Sequence, residues 1–153
     1  MKKLLFIFIG FGLLLPVSLE AQEKASFKVG KLKYEGGGDW YSNPTSVPNL
    51  LEFLQENTTI KAGTEEEIVE AGGTSIYQYP YVYMTGHGNV VFTDAEAENL
   101  RKYLISGGFL HIDDNFGMDK YVRREMKKVF PELEFAELPF SHDIYHMQYE
   151  FEN

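Results

Sequence analysis

The segment from Tyr79 to Gly117 constrains the fold most strongly, because it reads as a strand, a loop, a helix and a second strand. Aromatic and β-branched residues fill Tyr79 to Met84, as in a buried strand. Thr93 and Glu96 have the spacing of a helix capping box, and an apolar strand resumes at Phe109. Two strands joined by a helix run parallel, so their carboxyl ends share one edge of the sheet. Open parallel sheets bind ligands at that edge.

Polar clusters stand where both of these strands end. Gly86-His87-Gly88 follows the first strand, and Asp113-Asp114-Asn115 follows the second. His87 has the chemistry of a metal ligand, a base or an anion donor, or it is a turn residue bonded to nearby backbone. Asp113 and Asp114, with Asn115, suit a divalent cation or an acid pair with split pKa values. Their structural alternative is to cap the next helix. The metal candidates are therefore His87, Asp113 and Asp114.

The rest of the chain continues the alternation of strands and helices, with no repeat or linker. Segment 58–71 fits a short helix by propensity and an edge strand by context, and we favour the strand. The order predicts an α/β fold, a three-layer sandwich with a mainly parallel sheet of the flavodoxin-like type, in a single domain over residues 22–153. The other expected elements are a strand over Phe27 to Tyr34, a helix from Pro48 to Glu56, a helix from Met118 to Phe130 and a strand from Glu134 to Phe140.

The first 21 residues have the pattern of a secretory signal peptide. Lys2 and Lys3 precede an apolar run from Leu4 to Leu15, and Ala21 provides a small-residue cleavage position. The run is shorter than the roughly 20 residues that a membrane-spanning helix needs. The chain has no cysteine, so lipid attachment through an N-terminal cysteine is excluded. We therefore expect a protein that is exported, periplasmic or secreted, without a membrane span after signal removal.

The chain is acidic, with a formal net charge of −9 at pH 7. Removal of residues 1–21 takes away two lysines and Glu20, which changes the charge to −10. Such a surface opposes non-specific binding to nucleic acid or anionic membrane. An acidic surface favours solubility or the binding of a cation, and we do not expect nucleic acid as a partner.

Two further groups are candidates for ligand binding. Asp39 and Trp40 follow the Gly36 to Gly38 triplet and suit a sugar-binding surface, unless Trp40 only anchors the turn to the core. His142 and His146 are four residues apart, which on a helix is zinc-ligand spacing. The glutamate of the metalloprotease motif is missing, so we favour His142 alone, approaching the sheet edge from the loop after the last strand.

Apolar or aromatic residues alternate with polar ones at the C-terminal end of the sequence. Met147, Tyr149 and Phe151 alternate as in a half-buried strand, and no later segment covers them. The sequence predicts that any self-association uses this edge, so that deletion of residues 145–153 alters the oligomer.

Four phrases carry a family resemblance: EGGGDWYSNP, YPYVYMTGHG, LRKYLISGGFLHIDDNFG and LPFSHDIYH. Together they resemble an uncharacterised bacterial family, domain of unknown function 4159, over about Phe27 to Tyr149. The resemblance implies a fold like that of class I glutamine amidotransferases. A more distant likeness is to trehalose-utilisation-type proteins.

Two departures from the resemblance bear on function. Amidotransferases of this fold use a cysteine nucleophile, and this chain has no cysteine, so cysteine-dependent glutamine hydrolysis is excluded. The family domain usually continues beyond the histidine-rich segment, so we expect either a C-terminally shortened domain or a truncated chain.

Two functions remain open at this point. One is a non-catalytic domain that binds a small molecule, a carbohydrate or a protein. The other is a metal-dependent or acid/base hydrolase that uses His87, Asp113, Asp114 and His142, with a divalent metal as its cofactor.

Overall fold

The computed structural model describes residues 26–149 and 151, and the expected signal peptide lies outside these residues. Four parallel strands form one sheet in the order β2-β1-β3-β4. Helices fill the connections between strands, and two short 3-10 helices lie at 74–78 and 143–145. The elements in chain order are β1 (Val29–Lys33), α1 (Ser46–Asn57), β2 (Glu67–Glu70), β3 (Tyr81–His87), α2 (Asp94–Ile105), β4 (Phe109–Phe116) and α3 (Asp119–Val129).

The alternation of side chains along the strands assigns each helix to a face. Leu32, Val82 and Met84 pack in the larger apolar cluster with residues of α2 and α3, and this side of the sheet is the closed face. Val29 and Tyr83 pack with α1 on the opposite side, the open face. Helices on both sides of a parallel sheet make the predicted three-layer α/β sandwich, which is confirmed.

Helix α2 begins with the capping box that its sequence predicts. The Thr93 side chain accepts a hydrogen bond from the backbone N–H of Glu96, and Glu96 accepts one from the backbone of Thr93. Tyr103 of this helix is buried and donates to the carbonyls of Tyr79 and Phe109. These bonds fix the amino ends of β3 and β4 at a common level.

The elements around β1 are also close to their predicted bounds. Helix α1 begins at Ser46, two residues before Pro48, so the proline stands in the first turn, where its missing N–H costs nothing. The ambiguous segment 58–71 contains strand β2, as favoured above. β2 lies at the edge of the sheet beside β1.

The predicted strand from Glu134 to Phe140 is wrong, because this segment is irregular in the structure. Leu133 donates from its backbone to Phe130, and Lys127 donates to the Leu133 carbonyl, so a turn after α3 uses these groups. Pro139 has no N–H to add to a ladder.

The half-buried strand suggested by Met147, Tyr149 and Phe151 is also wrong, because these three residues are not in a strand. The residues before them form local turns, since the His142 backbone donates to the Pro139 carbonyl and the His146 backbone donates to the Asp143 carbonyl.

No helix within the described residues has the length and apolarity to cross a bilayer.

Candidate functional site

The carboxyl ends of β1, β3 and β4 meet at one edge of the sheet. Thr85 pairs in register with Asp113, and Gly86 pairs with Asp114, before a bulge places His87 beside Phe116. Neighbouring strands are about 4.8 Å apart, so these positions are close in space. Chain direction alone predicted this shared edge for His87 and the two aspartates.

Asp39 and His87 form the central pair of the edge. The His87 backbone N–H donates to Oδ1 of Asp39 over 2.5 Å, and the ring Nδ1 lies 3.0 Å from Oδ2. The backbone hydrogen bond from His87, and then its side chain, lower the pKa of Asp39. The histidine side chain is half exposed, so Asp39 orients an imidazole that is accessible from solvent.

The loops that carry this pair are bonded to one another. Gly38 donates to the Asn89 carbonyl over 3.0 Å, and the Asn89 side chain donates back to the Gly36 carbonyl over 2.9 Å. Val91 also donates to the Glu35 carbonyl. The loops after β1 and β3 are therefore one connected platform.

Gly86 permits this close approach. It has φ +147°, and a Cβ atom placed on it would lie 2.2 Å from the hydroxyl oxygen of Tyr34 and 3.2 Å from the backbone of Asp39. Tyr34 is buried and donates to the Thr85 carbonyl. Burial, followed by the charges of Asp39 and Asp114, raises the pKa of Tyr34 to about 12, so this hydroxyl stays protonated.

The two adjacent aspartates do not act as a pair, because the pleat of β4 directs them to opposite faces. Asp114 accepts from the backbone N–H groups of Met118 and Asp119, each over 2.9 Å, and so caps α3. Asp113 accepts from the Tyr83 hydroxyl over 2.7 Å on the open face. Burial and this bond raise the pKa of Tyr83.

Asn115 belongs to a third polar group, which connects the loop after β1 to the strand ends. Its side-chain oxygen accepts from Asn43 over 2.8 Å, and its amide donates to Ser42 over 3.2 Å. Asn43 also reaches the Thr85 hydroxyl at 3.4 Å. Asn115 therefore positions the loop.

A buried lysine supports the same loop from below. Lys31 is 1% exposed, and its ammonium group donates to the Ser42 carbonyl over 2.8 Å. Glu66 lies 3.4 Å away and supplies the balancing charge. The loop is thus attached to β1 as well as to β3 and β4.

Trp40 and Tyr41 face different environments. Trp40 packs against the core of the closed face, in agreement with the anchoring role considered for it. Tyr41 lies edge-on to Trp40 and is 67% exposed. The aromatic surface available to a ligand in this loop is Tyr41.

His142 and His146 flank a short 3-10 helix and are not on an α-helix. Nδ1 of His142 accepts from the backbone of Ile144, and Nε2 of His146 lies 2.9 Å from the Phe140 carbonyl oxygen. We expected His142 to reach the sheet edge from a loop after the predicted strand from Glu134 to Phe140. That strand does not form. The contacts of His142 lie within its own turn.

Within residues 26–149 and 151, no group of three or more His, Asp or Glu side chains could hold a metal ion together. The candidate ligands His87, Asp113 and Asp114 share an edge but have separate partners.

The sequence did not single out the residues that support the site. Tyr34, Asn43, Thr85 and Lys31 all make bonds that hold the loop after β1. Lys31 carries one weak signal, which is a cation at a strand position between apolar neighbours. Asn43 has no signal, because its role depends on the loop path.

Two comparisons with known proteins bear on the family of this chain. No match was found among curated proteins. A family model described as "Domain of unknown function (DUF4159)" matches residues 28–153, which is most of the chain. The chain therefore belongs to the DUF4159 family.

Proposed function

We propose that this chain is a non-catalytic binding domain of an exported protein, and that its ligand lies over the carboxyl ends of β1, β3 and β4. One observation carries the proposal. Two carboxylates at this edge are hydrogen-bonded within the protein. Asp114 accepts from backbone N–H groups at the start of α3, and Asp39 is bonded to His87. The groups that remain at the surface are rings that stack and form hydrogen bonds.

Three exposed rings surround the edge. The His87 side chain is half exposed, and Tyr41 and Phe116 are 67% and 80% exposed. Tyrosine and histidine rings present an apolar face together with one polar atom, so they bind ligands that have both a flat apolar side and hydrogen-bonding groups. Carbohydrates and peptides have both features.

The connected loops favour binding as well. A platform that is already bonded to β1, β3 and β4 loses little conformational freedom when a ligand arrives. Preorganisation of this kind increases affinity without a new contact.

A panel of oligosaccharides and peptides, screened by calorimetry, tests the proposal. We expect a ligand whose binding weakens at least tenfold, about 1.4 kcal/mol, in His87→Ala and in Tyr41→Ala. Tyr77→Ala is the matched control, because Tyr77 is an exposed tyrosine that contacts Asn99 of α2, away from this edge. The ligand should be recovered chemically unchanged.

A second candidate is an acid/base hydrolase that uses His87, and the geometry of Asp39 favours it. A carboxylate bonded to one imidazole nitrogen, with the other nitrogen facing solvent, is the arrangement of a general base and its orienting group. Conversion of a ligand to product by the wild type, with loss of turnover in His87→Ala, would select this candidate and refute the binding domain.

Export has a separate test. The apolar run and the small-residue position at Ala21 support cleavage after that residue. N-terminal sequencing of exported protein should begin near Gln22, and material that begins at Met1 would contradict the proposal.

A further inference from the structure

β4 is one of the two edge strands of the sheet. β4 pairs with β3, and within the described residues no strand pairs with its other side. An eight-residue strand with a free edge is a template for pairing with another chain. The segment from Glu134 to Phe140, where a further strand was predicted, is irregular.

Exposed apolar side chains flank this edge. Phe109 and Phe116 at the two ends of β4 are 51% and 80% exposed. On the closed face, Phe135 borders a groove with Ile112 and Asp114, and Leu133 is exposed beside it. Apolar surface that continues along both sides of a free strand marks an interaction site.

We propose that a second copy of this chain binds here, with β4 of the two copies antiparallel. The two-fold axis passes between the Ile112 residues of the two copies, and we call this an axis at Ile112. A two-fold axis perpendicular to the sheet keeps the open face of both copies on the same side. Residues opposite each other then share a face, so only registers centred on a residue are allowed. The proposal is independent of what the carboxyl edge binds.

The polar side chains of β4 that lie opposite each other differ between these registers. With the axis at Ile112, His111 lies opposite Asp113 of the second copy, and the reciprocal pair forms by symmetry. Tyr81 contacts Nδ1 of His111 and Tyr83 donates to Oδ2 of Asp113, which leaves Nε2 and Oδ1 for this pair. An imidazole N–H opposite a carboxylate oxygen has a hydrogen-bond partner across the two strands, and such a pair stabilises the pairing.

The neighbouring registers are worse. An axis at Asp113 places that carboxylate opposite itself, and an axis at His111 does the same for the imidazole. Two carboxylates directly opposite each other are destabilising, and an axis at His111 removes the imidazole from the position opposite Asp113.

Single cysteines test the register directly, because the chain contains no cysteine of its own. In Ile112→Cys, the two copies of the residue lie opposite each other, with Cα atoms about 4.5 to 5.5 Å apart, within disulfide range. The matched control is His111→Cys. Its two copies are offset by two residues along the strands, roughly 8 Å, which is beyond disulfide range.

We expect mild oxidation to convert most of Ile112→Cys to a disulfide dimer on a non-reducing gel, while His111→Cys stays monomeric. If Ile112→Cys stays monomeric, or if the two variants cross-link equally, the proposal is wrong. The test does not require the variants to be more stable than the wild type, since it compares neighbouring positions on one strand.

Light scattering on the purified protein supplies the second readout. The mass should double with concentration, and His111→Asp, which sets two carboxylates opposite each other, should weaken dimerisation at least tenfold. The exchange His111→Asp with Asp113→His restores an imidazole opposite a carboxylate and should recover dimerisation. Deletion of residues 145–153 should leave the mass unchanged. One constant monomer mass, or a dimer lost only on that deletion, would overturn the proposal.

Discussion

The two faces of the sheet differ in what they bury. The closed face holds most of the buried core, including Leu32, Met84 and Leu100. The open face buries only a small cluster around Val29, Leu51 and Tyr83. Several of its other strand positions carry polar or aromatic side chains, which are Lys31, Tyr81, His111 and Asp113. Of these, His111 is exposed and Lys31 is buried.

This difference separates stability from chemistry. A face filled with aliphatic side chains stabilises the fold by removing apolar surface from water. A face with hydroxyl, imidazole and carboxylate groups in register provides hydrogen-bonding partners instead. The contacts between Tyr81 and His111, and between Tyr83 and Asp113, show this second kind of packing.

The largest expected effect compares one leucine from each face. Leu100 and Leu51 are both fully buried, but Leu100 of α2 packs in the large cluster that also includes residues of the sheet and α3, whereas Leu51 of α1 packs in the small cluster with Val29 and Tyr83. Because the surroundings of Leu51 can relax more, we expect Leu100→Ala to cost about 4 kcal/mol and Leu51→Ala about 2 kcal/mol. Urea unfolding measures both. Equal losses would remove the distinction between the faces.

A smaller effect is expected at the end of the closed face, where Gly86 meets Tyr34. Gly86→Ala forces its Cβ against the tyrosine hydroxyl, and we expect a loss of about 2 to 3 kcal/mol with displacement of Asp39 from His87. Gly88→Ala is the control, since Gly88 also has positive φ but has open space around it. It should cost about 1 kcal/mol, the cost of the backbone conformation alone. Thermal unfolding and NMR of the His87 ring measure the two effects, and a comparable loss in both variants would show that contact with Tyr34 is unimportant.

The smallest effect concerns Glu125, the buried charge on the closed face. It accepts from the backbone of Phe92 and pairs with Lys128 and Arg124. Burial opposes its ionisation, but the hydrogen bonds from Lys128, Phe92 and Arg124 prevail and lower its pKa below 4.5. A lowered folded pKa contributes stability above the unfolded value, and this contribution is lost as pH falls through the folded value.

We therefore expect Glu125→Gln to be about 1 kcal/mol less stable than wild type at pH 7, since both cations are partly exposed and solvent screens them. The gap should close as pH falls below 4.5. Unfolding free energies between pH 7 and pH 3 measure it. A gap that stays constant over this range would mean that the charge of Glu125 contributes nothing.

Periodicity and caps predicted most of the fold. Thr93 with Glu96 fixed the start of α2, and the aromatic run before Gly86 located β3, because both signals are local in sequence. The strand predicted from Glu134 to Phe140 failed for a reason that is not local. Alternation indicates that a segment is able to pair, but the turn bonds of Leu133 and Lys127 decide whether it reaches β4.

The candidate site was predictable in position but not in its bonds. Chain direction placed His87 and the aspartates at one edge, which follows from parallel strands. The partners of Asp114 and Asp39 depend on the paths of loops, and loops carry no periodic pattern. The contribution of Asn43 to the network with Asn115 was invisible for the same reason.

The two outer edges of the sheet have opposite consequences for growth. β2 is four residues long, and its glutamates form ion pairs with two lysines on or next to β1. Glu70 pairs with Lys33 of β1, and Glu67 pairs with Lys28, which precedes β1. A short edge that carries such charges resists further strands. A contact between β4 of one copy and β4 of a second copy is isologous, so it covers the β4 edge of both copies. Assembly through β4 would then stop at two molecules and could not propagate into a fibre.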